Sequence, residues 1–289
     1  MKIFITGGTG FIGSHLINAL HTLGHDVISL KRSKSKPRIS LKKQPQWIIG
    51  KLGDGTLTKL PNSDIVIHLA ASGVKASNRN WNNCINSNII GTNELLYGLS
   101  NVSNTPLLIY PRTFYEDYLN KFTKLKNNPY FVTKAAATKM VELWVKTNQK
   151  SRVNFGTIFQ AYGPGDDLGN VLSYTAGCLG RDIPAKLGNG EILRDWIYID
   201  DLVDVLIKSI KCNNNRIQYF DFGTGKLTSL REMVEMLASL MDSSKNLLHF
   251  DSKKDRGDIK IDACAINQIP EWVPNYLVKS GIKEFIKHI

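Results

Sequence analysis

The chain has 289 residues, 42% hydrophobic and 21% charged, the balance of a globular protein with room for one large α/β domain or two modest ones. No apolar run approaches the roughly 20 residues a helix needs to cross a bilayer, and the opening is a strand rather than a charged and then hydrophobic leader. A membrane span and a signal peptide are therefore not expected, and the protein reads as cytoplasmic. A net charge of +12 admits three readings: nucleic-acid binding, a solvated basic surface, or attraction of an anionic ligand. The cations are spread along the chain and no nucleic-acid-binding motif accompanies them, which favours the last two.

Taken in order, Lys2-Ile3-Phe4-Ile5 is a short apolar run read as a buried strand, and Gly7-Gly8-Thr9-Gly10-Phe11-Ile12-Gly13 follows at once. Residues 14–23 have helical spacing, with Leu16, Ile17, Leu20 and Leu23 on one stripe. Strand, glycine turn and helix form the phosphate-binding half of a dinucleotide fold. Gly7 permits the tight turn, Gly10 lets the backbone approach a diphosphate, and Gly13 lets helix and strand pack closely. The amides from Gly10 through Phe11 and Ile12 to Gly13, at the positive end of the helix, then meet the anion. The alternative is a structural glycine turn with no ligand.

A second strand at 25–30 ends in the basic loop Lys31-Arg32-Ser33-Lys34-Ser35-Lys36, with short strands expected at 47–49, 64–71 and 106–110. Helices are expected over 82–99 and, after Pro129, over 130–147, with a sixth strand at 153–159. Alternating strands and helices imply a parallel sheet with right-handed crossovers. Beyond Tyr162-Gly163-Pro164-Gly165 the rhythm breaks: a helix at 171–179, a strand at 196–199, a helix at 200–211, a strand at 219–222, and a helix to residue 240 capped by Thr228 in the manner of a capping box with Glu232. The expected architecture is α/β: a Rossmann-type doubly wound parallel sheet over 1–165 plus about 196–224, with a smaller, partly interleaved C-terminal substrate domain over about 166–195 and 225–289. Cys84, Cys178, Cys212 and Cys264 are scattered without metal or redox spacing and are expected as buried, reduced thiols; no metal site is expected.

Tyr130 and Lys134 stand four apart on a predicted helix, so phenol and ammonium share a face. A free tyrosine titrates near ~10, and a nearby cation lowers that value. Such a tyrosine can exchange a proton with a carbonyl or alcohol oxygen while hydride moves at a nicotinamide. Taken alone, such a spacing reads first as a surface pair; its position after the fifth strand of a dinucleotide fold reverses that reading.

With these motifs the chain resembles the extended short-chain dehydrogenase/reductases, the NAD-dependent epimerase/dehydratase family, which contains nucleotide-sugar epimerases, dehydratases and ketoreductases. The resemblance runs through the glycine loop, His68-Leu69-Ala70-Ala71, Asn88-Ile89-Ile90-Gly91-Thr92, Tyr130 with Lys134, and Tyr162-Gly163-Pro164-Gly165. It continues in Arg194-Asp195-Trp196-Ile197-Tyr198-Ile199-Asp200-Asp201 and Arg256-Gly257-Asp258. Within the family the chain is most similar to ketoreductases of the CDP-abequose and CDP-paratose synthase type, which reduce a 4-keto deoxysugar nucleotide. The resemblance implies that Leu69, Ala70 and Ala71 line the cofactor groove and that Asn88 is a structural and cofactor-side polar residue. Arg194 and Arg256 would clamp a substrate diphosphate, as guanidinium forks bind phosphate in bidentate fashion; Asn170 and Val171, with Lys186 to Asn189, would border the nucleotide, and Gln160, in place of a common Asn, would lie on the substrate side. A surface ion pair is the alternative for each arginine.

Departures from the family pattern narrow the reading. NAD-preferring relatives end the second strand in an acid; this chain has Lys31 and Arg32, which suit the 2′-phosphate of NADP(H) or are solvated loop charges. Thr113 is the nearest hydroxyl to the family's catalytic Ser or Thr, two residues displaced, and is expected to hydrogen-bond the sugar oxygen at C4. The Asp-Glu pair that dehydratases carry directly after that threonine is replaced by Phe114 and Tyr115, with Glu116 and Asp117 out of register. The expected activity is NADPH-dependent reduction of a nucleoside-diphosphate 4-keto-deoxyhexose at C4. A nucleotide-sugar epimerase and a non-catalytic dinucleotide-binding sensor are the alternatives. A homodimer through helices 82–99 and 130–147 is also expected, as in much of the family.

Overall fold

The computed structural model describes residues 1–75, 78–212, 215–251 and 261–289. In chain order the first elements are β1 (Lys2–Thr6), α1 (Phe11–Thr22), β2 (Asp26–Lys31), β3 (Gln46–Ile49) and β4 (Ile65–His68). A continuous helical segment follows: α2 (Trp81–Cys84), a π-helical stretch (Ile85–Ile90) and α3 (Gly91–Ser100). Next come β5 (Leu107–Thr113), α4 (Thr123–Lys126), α5 (Pro129–Thr147), β6 (Arg152–Ile158), β7 (Gln160–Tyr162), α6 (Val171–Leu179) and β8 (Ala185–Leu187). The remainder is β9 (Leu193–Tyr198), α7 (Ile199–Lys211), β10 (Ile217–Phe222), β11 (Leu227–Ser229), α8 (Leu230–Leu240), β12 (Leu248–Phe250) and α9 (Val278–Ile286).

Residues 1–158 and 203–220 form one unit, residues 159–202 and 221–289 a second. In the first unit a seven-stranded sheet has the order β10-β6-β5-β4-β1-β2-β3, parallel in the ladders from β3 to β6. The chain builds outward from β1 to one edge and then returns to β4 on the other side. That reversal opens a crevice at the carboxyl ends of β1 and β4, the place where doubly wound sheets bind ligands. Helices cover both faces, so the central strands are apolar throughout: Ile3, Phe4, Ile5, Val66, Ile67, Leu108 and Ile109 are fully buried. Phe4, Val66, Leu108 and Phe155 pack with Leu95 and Leu99 of α3 and Val141 and Trp144 of α5.

The second unit holds a three-stranded sheet, β11-β9-β7, and a two-stranded one, β12-β8. Here two expectations are corrected. Trp196 to Tyr198 do not extend the large sheet; they pair with Gln160 to Tyr162 of β7, which draws the unit boundary back to residue 158. The cap of α8 is Ser229 rather than Thr228. Ser229 Oγ accepts the Glu232 amide (3.1 Å) and its own amide donates to Glu232 Oε2 (2.8 Å), while Thr228 lies in β11 opposite Arg194. The box needs a spacing of three, which only Ser229 satisfies.

All four cysteines are free; Cys84 and Cys178 are buried as expected, whereas Cys212 and Cys264 are half-buried. Among the described residues no helix is long and apolar enough to cross a membrane, and no cluster of three or more His, Cys, Asp or Glu side chains could hold a metal.

Candidate active site

The turn after β1 is shaped by what a side chain would strike. Gly7 has φ +78°, and a Cβ there would lie 2.7 Å from the Ala70 nitrogen and 2.9 Å from the Leu69 carbonyl carbon. Gly13 presses so closely on the turn that a Cβ would lie 2.7 Å from Gly8 Cα. Gly10 caps α1 without a side chain, and no acidic residue lies in the first turn. The helix therefore presents uncapped amides and its positive end beside Phe11 and Ile12, at the switch point of the sheet. A backbone cradle of this kind fits a dinucleotide diphosphate, and Leu69 and Ala70, which Gly7 touches, form its other wall.

Behind that wall lies a buried polar chain. Thr6 Oγ1 accepts the Ala70 amide (3.2 Å) and stands 2.8 Å from His68 Nδ1, while His68 Nε2 stands 3.3 Å from Thr92 Oγ1. Burial, reinforced by the charge of Lys134, lowers the His68 pKa to about 3, so the ring is neutral. Its partners are satisfied when Thr6 donates to Nδ1 and the ring proton sits on Nε2. Asn88, in the π-helical stretch, is the second link. Its Oδ1 accepts the Ser72 amide (2.8 Å), and its Nδ2 donates to Ser72 O (3.0 Å) and Thr133 Oγ1 (2.9 Å). One amide thus ties the loop after β4 to the first turn of α5.

That turn carries the catalytic candidates. Asn128 caps α5 by accepting the Tyr130 amide (3.0 Å), and Pro129 occupies the first helical position. Lys134 is buried; its Nζ donates to the Pro111 carbonyl (2.9 Å) and lies 4.5 Å from the centroid of the Tyr110 ring, which stacks on His68. Tyr130 is half-buried. Loss of water around the phenol pushes its pKa up to about 12, and Lys134 is the principal group pulling it back. Lys134 acts in the direction its spacing implies, and the larger opposing effect, desolvation, has no local signal in the sequence. Thr113 ends β5 and forms a capping box with Glu116, whose Oε1 accepts the Thr113 amide (3.0 Å). Arg79, whose Nε donates to the Gly73 carbonyl (2.9 Å) in the loop after β4, also acts on the phenol; it, Ser72, Thr133 and the Asn128 cap are additions to the residues expected at this site. Only the cap has a sequence signal, Asn immediately before a helix-initiating Pro.

At the end of β2, Lys31 is half-buried with Nζ 5.0 Å from the centroid of Trp47 on β3, and Arg32 is exposed with Nε donating to Ser35 Oγ (3.2 Å). Ala71 is exposed just past the cradle wall.

The second unit places its predicted residues in two groups. Gln160 pairs with Trp196 in the β7–β9 ladder, two residues from Arg194, which is buried with Nη1 donating to the carbonyls of Leu193 (2.8 Å) and Ile261 (3.1 Å). Asn170 caps α6 and is exposed, Val171 begins that helix, and the Lys186 amide on β8 donates to Tyr174 Oη of α6 (3.1 Å). Asp195 beside Arg194 is fully engaged, accepting the amides of Thr224 (2.7 Å), Gly225 (2.9 Å) and Ala265 (3.0 Å) and the Thr224 hydroxyl (2.7 Å). Arg256 lies outside the described residues.

A sequence model of the NAD dependent epimerase/dehydratase family matches residues 3–219. CDP-abequose synthase of Salmonella typhimurium (strain LT2) is 25% identical over 298 residues, covering 99% of this chain and 98% of that protein. Among solved structures, UDP-glucose 4-epimerase of Thermotoga maritima with UDP-glucose superposes with a TM-score of 0.84 at 21% identity, covering 100% of this chain and 98% of that one. The dTDP-glucose 4,6-dehydratase of Bacillus anthracis in complex with NAD gives 0.81 at 22% identity, covering 99% and 96%. At these identities the structural likeness carries the fold.

Proposed function

The chain belongs to the NAD dependent epimerase/dehydratase family, and from that premise we propose that it reduces the C4 ketone of a nucleoside-diphosphate 4-keto-deoxyhexose with NADPH. The observation that carries the reading is the Tyr130–Lys134 pair, held on one face of α5 against the end of β5 by the Lys134 to Pro111 hydrogen bond. When bound, the nicotinamide dinucleotide supplies hydride. Gly7, Gly10, Phe11, Ile12 and Gly13 hold its diphosphate; Leu69, Ala70, Ala71 and Asn88 form the groove side; Lys31 and Arg32 take the 2′-phosphate. Tyr130 gives its proton to the ketone oxygen, and Lys134 stabilises the phenolate left behind. Thr113 orients the oxygen at C4. Gln160, Asn170, Val171, Lys186, Arg194 and Arg256 bind the nucleotide sugar; the carbonyls that hold Arg194 Nη1 orient its guanidinium.

One feature favours reduction over elimination. Thr113 is followed by Phe114 and Tyr115, and both oxygens of Glu116 are engaged by protein donors, so no free acid–base pair follows the threonine. A relative that covers the chain end to end and is named for CDP-abequose supports a nucleotide deoxysugar. We further assign a homodimer through the α2–α3 segment and α5, where Trp81, Ile85, Ile90, Tyr97 (59%) and Leu143 (63%) expose large apolar side chains.

The test is NADPH oxidation, followed by nicotinamide absorbance, against 4-keto-deoxyhexoses carried on cytidine, thymidine, uridine and guanosine diphosphates. One NADPH consumed per product is expected. Interconversion of two sugars without net oxidation would replace this reading with epimerisation, and tighter binding of NADH than of NADPH would overturn the 2′-phosphate assignment.

A further inference from the structure

Glu116 lies in the 3-10 turn Phe114–Tyr118 that follows β5, and its side chain is 2% exposed. A carboxylate whose only task was to cap that turn could stay in water. This one is drawn inward by three partners. Oε1 accepts the Thr113 amide, Oε2 accepts Thr138 Oγ1 (2.7 Å), and Arg112 Nε stands 3.5 Å from Oε2. The Arg112 contact is an ion pair in which Nε makes no hydrogen bond, and Arg112 Nη2 is directed to Asp117 Oδ1 (2.5 Å). The arginine is shared between two carboxylates, so the Glu116 charge is incompletely offset.

The Thr138 contact gives the carboxylate its reach. Tyr130, Lys134 and Thr138 are spaced by four and share one face of α5. Lys134 is held by the Pro111 carbonyl and Thr138 by Glu116, so both fastenings come from one short stretch of chain, 111–116. Together they fix the helix along the strand end and place the phenol one turn beyond. Both carboxylate oxygens are occupied by protein donors, which leaves neither for proton transfer to a substrate.

We propose that Glu116 is a positioning residue for the Tyr130–Lys134 pair: it fastens α5 to the end of β5 and sets a buried negative charge against that of Lys134 at the phenol. This rests on Tyr130 being the proton donor. The groups that face the phenol are Lys134 on its own helix, Glu116 in the 3-10 turn, Arg79 in the loop after β4, and Tyr110 on β5. Burial raises the phenol most; Lys134 and Arg79 lower it, and Glu116 and Tyr110 raise it. Glu116 therefore adds to burial in holding the phenol protonated, the form a reductase needs. Removing its charge moves the phenol toward ionisation at lower pH. Because reduction requires the protonated phenol, the alkaline limb of the rate profile moves down with it.

Glu116→Gln is the direct test. The amide oxygen retains the Thr113 amide and the NH2 group can donate to Thr138 Oγ1, so the fastening persists while the charge is lost. In the NADPH-dependent reaction, the alkaline limb of kcat is expected to fall by about 0.5 pH unit or more, a threefold change in proton affinity. Thr138→Val removes the fastening and keeps the charge; it is expected to lower kcat without moving the limb, with Thr138→Ser restoring the rate. An unmoved limb in Glu116→Gln, or the same displacement in Thr138→Val, overturns the proposal. If the parent enzyme turns over no 4-keto sugar, the function assigned above fails by itself. The phenol is then titrated directly in the NADP+ complex, as the tyrosinate absorbance difference between each protein and its Tyr130→Phe derivative. A lower midpoint for Glu116→Gln supports the charge role, and an equal midpoint removes it.

Discussion

His68 is the group through which acid should first reach the cofactor crevice. Its ring is 3% exposed, wedged between Thr6 (2.8 Å) and Thr92 (3.3 Å) and stacked on Tyr110 at a centroid distance of 5.7 Å. Burial first, and the Lys134 charge second, lower its pKa from 6.5 to about 3. The folded chain thus declines a proton that the unfolded chain accepts near 6.5. Between those values the unfolded state binds more protons, so stability rises with pH through this window and is flat for this group above it. The slope is about 1.4 kcal/mol per pH unit, so this one ring should account for about 2 kcal/mol lost on going from pH 8 to pH 5. His68→Gln removes the titration while leaving polar atoms near Thr6 and Thr92. Urea unfolding followed by circular dichroism at both pH values, for parent and variant, isolates the term, because the carboxylates common to both cancel. The parent should lose about 2 kcal/mol more than the variant. Equal losses would refute the reasoning.

Lys134→Met keeps the length of the buried side chain and removes the ammonium. The loss of the Pro111 hydrogen bond should cost about 1–3 kcal/mol, while the phenol, without its principal opposing cation, becomes a poorer acid and turnover falls by about 10²–10⁴. A folded variant, judged by thermal melting, that retains turnover within about threefold would contradict the catalytic role. For the homodimer, charges placed at exposed apolar positions by Tyr97→Glu with Leu143→Glu should convert a dimer into a monomer in sedimentation. A parent that sediments as a monomer would remove the assignment.

The parts of the site that could be read from sequence are those whose signals are local. The glycine turn, the α1 stripe and the Tyr130–Lys134 spacing each fall within a single strand–turn–helix or a single turn of helix. The residues that fix them lie far away in the chain: Pro111 is 23 residues from Lys134, Glu116 is 22 from Thr138, Asn88 is 45 from Thr133, and Thr6 is 62 from His68. Neither spacing nor composition marks such pairs. The end of β5 was hidden for another reason. The strand expected at 106–110 continues through Pro111, opposite Gly156, to Thr113, although a proline argues against a strand interior. The ladder to β4 has already ended at Ile109, and on that side Pro111 has no partner that its missing N–H would deprive. Trp196 to Tyr198 were recognised as strand residues because β propensity is local; that they pair with β7 is decided by a contact across more than thirty residues.

The wide turn at Ile85–Ile90 constrains how its neighbours vary. A π turn accommodates one more residue than an α turn, which displaces the phase of everything beyond it by about 100°. Trp81 and Tyr97 therefore cannot be assigned to a common flank by counting along a regular wheel. Shortening this segment by one residue would regularise the coil, but at the cost of swinging the Asn88 carboxamide away from Ser72 and Thr133. The irregularity is thus a length constraint: homologous chains that keep this carboxamide bridge must keep the surplus residue with it, and those that lose one should lose both.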